Sequence, residues 1–180
     1  ADGNSYNTAV GHHSGKLMST AVNNTLVGAL AGDAIISGSY NVALGYNSLS
    51  ANTVGNSNIA IGTSALLTNV AADRNVAIGT DALMTMSSSS TFDTYNTAIG
   101  YHTGKLITIG IANTLIGGLA GDAINEGNQN VAMGHAALST NQEGDNNVAI
   151  GFEALYTLNP ANGSSYNTAV GTQAGKLMTT

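Results

Sequence analysis

Short apolar triplets recur along this chain, each opened by Asn and closed by Gly. The unit reads Asn-x-Ala-x-Gly, with Asn at Asn7, Asn24, Asn41, Asn58, Asn75, Asn96, Asn113, Asn130, Asn147 and Asn167. The closing glycines are Gly11, Gly28, Gly45, Gly62, Gly79, Gly100, Gly117, Gly134, Gly151 and Gly171. Counting Asn as place one, place three is Ala in eight units and Leu in two, Leu26 and Leu115. Place four is always apolar: Val10, Val27, Leu44, Ile61, Ile78, Ile99, Ile116, Met133, Ile150 and Val170. Many of the triplets are rich in β-branched residues, as in Ile59-Ala60-Ile61 and Val76-Ala77-Ile78, and such residues suit a pleated surface.

The Asn residues stand 17 apart except at two steps, Asn75 to Asn96 (21) and Asn147 to Asn167 (20). A fixed period of this size marks a solenoid whose coils stack on one another. Helix-pair repeats need roughly thirty or more residues, so the spacing predicts an all-β fold. We expect a parallel β-solenoid, or β-roll, of ten coils, about 45 Å long at the parallel strand spacing.

Side chains on a strand alternate between faces. The triplets therefore predict one face of bulky residues, expected to fill the coil, and one face of mostly Ala. The methyl-sized face is expected outside, where a second copy of the rod can approach closely. Gly at place five is expected to close the strand with a turn that needs positive φ or lacks room for Cβ. Asn at place one is expected to open it, using its tolerance of the left-handed region and its own backbone hydrogen bonds. Stacked Asn amides can also bond along the rod as a ladder. These Asn and Gly residues are read as structural.

A longer repeat overlies the short one. Tyr6-Asn7-Thr8-Ala9-Val10-Gly11 through Gly15-Lys16-Leu17 returns as Tyr95-Asn96-Thr97-Ala98-Ile99-Gly100 through Gly104-Lys105-Leu106, and again from Tyr166 through Leu177. The chain reads as one rod, 1–180, with blocks at 7–95 and 96–166 and a third beginning at 167–180. Polar insertions, 87–94 and 159–165, fall just before each new block and are expected to be loops. In the variant coils, Gly15 or Gly32 stands where other coils carry Leu49, Leu66 or Leu83. Three of the four basic residues, Lys16, Lys105 and Lys176, share place ten, and Asp33 and Asp122 follow the first two by 17 residues. One period places residues on neighbouring coils, so salt bridges Lys16–Asp33 and Lys105–Asp122 are expected, weak in energy but useful for register.

Composition narrows the class. A net charge of −6 with no basic run argues against nucleic-acid binding. No apolar run approaches the length of a membrane span. The chain has no Cys, hence neither disulfides nor thiol chemistry. Both ends fall within ordinary coils, whereas solenoids need distinct capping repeats; the chain is therefore expected to be a fragment of a longer fibre.

Candidate chemistry is sparse. His13 and His102 hold equivalent places five coils apart, about 24 Å at the strand spacing, too far to share a metal ion. His12-His13-Ser14 has no acid placed to orient a base. The Gly-Lys pairs lack the phosphate-loop spacing, and calcium-binding nonapeptide repeats are missing. No catalytic residue, metal site or cofactor is assigned, and an enzyme is not expected. Place six carries His12, Tyr46, Tyr101, His135 and Phe152 on a turn. These rings are the candidate surface-binding residues, for a cell-surface glycan or protein; covering the coil edge is the plainer role.

The run Asn41-Val42-Ala43-Leu44-Gly45-Tyr46-Asn47-Ser48-Leu49 resembles the Asn-Thr-Ala-Leu-Gly-Tyr-x-Ala-Leu repeat of phage tail-fibre proteins and related bacterial surface proteins. Asn75-Val76-Ala77-Ile78-Gly79 is similar to the Ser-Val-Ala-Ile-Gly motif in the heads of trimeric autotransporter adhesins, whose coils are usually shorter. The resemblance spans essentially the whole chain. It implies a homotrimeric, left-handed parallel β-roll in a long extracellular fibre. The expected function is a structural segment that extends and displays an adhesive or receptor-binding tip, on a virion as in a phage tail fibre. The alternative is a bacterial cell-surface adhesin or filament whose own coils bind glycan or protein. An ice-binding rod is disfavoured, because Val and Ile interrupt the Thr residues at place two.

Overall fold

The computed structural model describes residues 5–87, 92–160, 163 and 165–179. Ten three-residue strands form one parallel sheet in sequence order: β1 (Thr8–Val10), β2 (Thr25–Val27), β3 (Val42–Leu44), β4 (Ile59–Ile61), β5 (Val76–Ile78), β6 (Thr97–Ile99), β7 (Thr114–Ile116), β8 (Val131–Met133), β9 (Val148–Ile150) and β10 (Thr168–Val170). Each strand pairs with its equivalent one coil on, as in Val42 with Ile59 and Ile59 with Val76. Register survives both irregular steps, Val76 pairing with Thr97 and Val148 with Thr168. The architecture is the expected parallel β-solenoid. Of the two insertions, residues 88–91, 161, 162 and 164 lie outside the described residues.

The strand faces are the reverse of the expectation. Ala43, Ala60, Ala77, Ala98, Ala132 and Ala149 are completely buried, as are Leu26 and Leu115 at the same place. The bulky residues of places two and four point outward; Leu44, Ile99 and Met133 are 46, 36 and 38 % exposed. The reason is the cross-section. Leu49, Leu66, Leu83, Leu138 and Leu155 enter the interior from place nine, and Ile35, Met86, Ile107, Ile124 and Leu158 enter from place twelve. With these opposite the strand, little room is left for a large residue at its centre.

Two core solutions share one backbone path. Place nine has positive φ in every coil: Leu49 (54°), Leu66 (51°) and Leu83 (49°) match Gly15 (59°) and Gly32 (55°). Where place nine is Gly, a large residue from place twelve takes its volume. A Cβ on Gly32 would lie 2.7 Å from Ile35 Cδ1 and 3.0 Å from Leu26 Cδ2. Where place nine is Leu, place twelve is usually Asn, which closes the next turn: Asn52 Nδ2 donates to the Gly55 carbonyl (2.9 Å) and Asn141 Nδ2 to that of Gly144 (2.9 Å). In the two coils that precede insertions, Met86 and Leu158 replace this Asn. Each insertion thus follows a coil with Leu at place nine and no turn-closing amide at place twelve.

Candidate functional site

The Asn residues of place one form a buried ladder. Asn58 Oδ1 accepts the backbone N–H of Asn75 (3.0 Å), and Asn41 Oδ1 accepts that of Asn58 (2.9 Å). Asn58 Nδ2 donates to the Ala72 carbonyl (2.9 Å). The pattern continues from Asn7 and Asn24 to Asn147 and Asn167. At the two irregular steps a hydroxyl supplements it: Thr94 Oγ1 donates to Asn75 Oδ1 (2.7 Å) and Ser165 Oγ to Asn147 Oδ1 (2.8 Å). The left-handed residue is the one before Asn, such as Tyr40 (φ 61°) or Arg74 (60°), and not the Asn itself. Place-five glycines with a further coil stacked on them satisfy both expected conditions at once. Gly62 has φ 129°, and a Cβ there would sit 2.6 Å from the Gly79 carbonyl.

The expected Lys–Asp pairs are not formed. Lys105 Nζ lies 3.2 Å from Asp81 Oδ2, on the preceding coil. Asp122 instead accepts from Ser139 Oγ (2.5 Å), and Asp33 from Ser50 Oγ (2.7 Å), each on the following coil. No ion pair joins Lys16 to Asp33 among the described residues. The backbone register of these residues is the expected one, since Leu17 N–H donates to the Asp33 carbonyl (3.0 Å) and Leu106 N–H to that of Asp122 (3.1 Å). The lysine reaches diagonally backwards to an acid at place seven, leaving its own column. Lys176 does the same, with Nζ 2.5 Å from Glu153 Oε2. That contact, and then the amide of Gln173, hold the Glu153 carboxyl below its ordinary range. His13 is also held below its ordinary value, first by lost hydration and then by the charges of His12 and Lys16.

Of the place-six rings, Tyr46, Tyr101 and Phe152 stand out from the turn, 53, 57 and 45 % exposed, and His12 and His135 are exposed with them. They do not form one continuous stack. His135 lies parallel to Phe152 with centroids 5.7 Å apart, while His12 and Tyr101 stack on their sequence neighbours His13 and His102. Ala29, Thr63, Thr80 and Gly118 separate them along the column.

The feature absent from the sequence reading is the outer sheet face itself. Places two and four carry only Thr, Val, Ile, Leu and Met from β1 to β10, without one charge. A second column of exposed rings, Tyr6, Tyr40, Tyr95 and Tyr166, borders it on the residue before Asn. Coils one, three and six hold a ring on each border, Tyr6 with His12, Tyr40 with Tyr46 and Tyr95 with Tyr101. No helix among the described residues is long and apolar enough to cross a membrane. Comparison with family models, with curated proteins and with solved structures finds no match to this chain.

Proposed function

We propose that the chain is a structural segment of an extracellular fibre, as in a phage tail fibre, and that it works as a homo-oligomer joined through the outer sheet face. The observation that carries this reading is the uncharged strip along all ten strands, apolar throughout place four and at place two in five strands, with Thr at place two in the other five. Contiguous apolar surface of that extent is rare on isolated soluble chains and marks an interaction surface. The strip is about 45 Å long and about 15 Å wide with its bordering rings, on the order of 700 Å² per copy. A standard interface takes about 800 Å² per partner. A partner that keeps contact over every coil must share the rod's axial repeat, and a second copy does so. The interface passes from the Ala column, which is buried within each coil, to the Val, Ile and Leu columns. A homotrimer is the assembly that the resemblance implies. The setting is a virion or a cell surface, and the tip of the fibre meets the receptor.

The second reading is an adhesin whose coils bind glycan or protein themselves; the half-exposed rings Tyr46, Tyr101 and Phe152 favour it. The test is oligomeric state. Light scattering on the unmodified chain gives an oligomer, and Ile61→Lys with Ile78→Lys gives a folded monomer by circular dichroism. An unmodified chain that stays a folded monomer at high concentration overturns the reading. Ala60→Arg does not serve as the test, because it buries a charge inside the coil and unfolds it.

A further inference from the structure

Every lysine or arginine ion pair among the described residues bridges one of the two steps at which the period breaks. Lys105 with Asp81 spans the step from the coil of β5 to that of β6, and Arg74, the residue before Asn75, reaches Asp93 in the insertion between them. Lys176 with Glu153 spans the step from β9 to β10. None bridges a regular 17-residue step. Two of the pairs have the same construction. An acid at place seven of a block's last coil meets the lysine at place ten of the next block's first coil. A neighbouring nitrogen at place seven of that second coil closes on the same oxygen: His102 Nε2 on Asp81 Oδ2 (3.0 Å), Gln173 Nε2 on Glu153 Oε2 (2.9 Å). The side chains differ and the arrangement recurs, so it belongs to the boundary and not to one residue's accident.

The regular steps hold coils together differently. Besides the Asn ladder, a second series of side-chain bonds runs along place sixteen. Asn56 Oδ1 accepts Ser39 N–H (2.9 Å), Asp73 Oδ1 accepts Asn56 N–H (2.6 Å), and Asp145 Oδ1 accepts Asn128 N–H (2.6 Å). The series stops at Asp73 and Asp145, the last such residues before the insertions. The turn-closing Asn of place twelve is replaced there by Met86 and Leu158. A longer connection also restrains the next coil less. Each boundary therefore lacks these two side-chain bonds, keeps the Asn ladder with an added hydroxyl, and carries its charged pairs between places seven and ten.

We propose that these ion pairs are electrostatic latches, and that the rod opens locally block by block, at the two boundaries, when its charges are screened or removed. Solenoid stability is a sum of coil and nearest-neighbour terms, so a weakened step opens without unfolding the coils on either side. The pairs are partly exposed and respond to salt; the neutral ladders do not.

Hydrogen exchange of the full chain, read by mass spectrometry at pH 7 in about 10 mM and about 1 M sodium chloride, tests this. At 1 M the screening length is about 3 Å. Amides of β5 and β6 exchange about two- to five-fold faster in high salt, the range set by partly exposed pairs, while those of β3 and β4 do not change. Lys105→Met accelerates β5 and β6 at low salt and reduces their salt response. Glu153→Gln acts at β9 and β10 and leaves β5 and β6 as they were. The proposal is overturned if salt speeds all strands alike, or if β5 and β6 respond neither to salt nor to Lys105→Met. The salt arm uses the unmodified chain, so it decides even if a variant folds poorly.

Discussion

At the scale of single residues, the interior of this rod rests on amides more than on charges. Asn58 is fully buried, accepts one backbone N–H through Oδ1 and donates to one carbonyl through Nδ2. Replacing it with Leu keeps the branched shape but strands the Asn75 N–H; the Ala72 carbonyl still accepts from Asn69 Nδ2 (3.0 Å). An unsatisfied buried group costs about 1–3 kcal/mol, so Asn58→Leu should destabilise the rod by about 1–3 kcal/mol, read from the shift in urea midpoint. Asn7→Ala, on the outermost described coil and only half-buried, should cost under about 1 kcal/mol. The invariance of Asn and Gly was legible from the sequence, as were turn and ladder roles for them. The left-handed position was misplaced by one residue, because the site before Asn holds Tyr, Ser, Arg, Ala and Gln as well as Asn. Composition at such a site does not announce positive φ; only the closed geometry of the turn imposes it.

At the scale of the strand and its coil, burial is decided by what shares the cross-section. Bulky residues were expected inside by the ordinary rule that the larger apolar side chain is buried. A three-residue strand offers the core one central side chain, and the remaining volume is already filled from places nine and twelve. The correlation that reveals this was present in the sequence. Leu appears at place three only in coils where place nine is Gly, as with Leu26 and Gly32 or Leu115 and Gly121. Residues that compensate in volume face the same space. Gly32→Leu alone should therefore overpack the coil and cost about 1–3 kcal/mol, since its Cβ already crowds Ile35 and Leu26. Gly32→Leu combined with Leu26→Ala and Ile35→Asn converts this coil to the other core type. That triple variant should recover most of the loss in a thermal melt, and a triple variant no better than the single one would show that the two core types are not interchangeable. The Lys pairing was misjudged for a related reason. A column argument fixes which backbones are stacked, but a four-carbon side chain reaches the neighbouring column, where Asp81 and Glu153 lie.

At the scale of the whole molecule, the period is a unit of construction and not only a statistical pattern. Strands β3, β4 and β5 all place Ala inside and Leu at place nine, with Leu49, Leu66 and Leu83. Removing residues 59–75 joins Asn58 directly to Val76, so β3 would face β5 in the register that β4 now occupies. The Asn ladder stays continuous, with Asn58 serving in place of Asn75. The cost is one layer of core and the Asp73 acceptor that Asn56 N–H now uses at 2.6 Å. This 17-residue deletion should fold, keep the strand signature in circular dichroism, and give small-angle scattering from a rod shorter by about 4.8 Å, one strand spacing. Removing residues 59–74 instead leaves one residue extra. The inward Ala77 of β5 is then out of phase with β3, the strand it must meet, and a one-residue slip turns the buried face outward. That 16-residue deletion should lose cooperative unfolding despite being the smaller change. If both deletions fold equally well, the cross-section is not fixed by the places assigned to it; if neither folds, the coils depend on more than their nearest neighbours, contrary to the additive stacking that defines a solenoid.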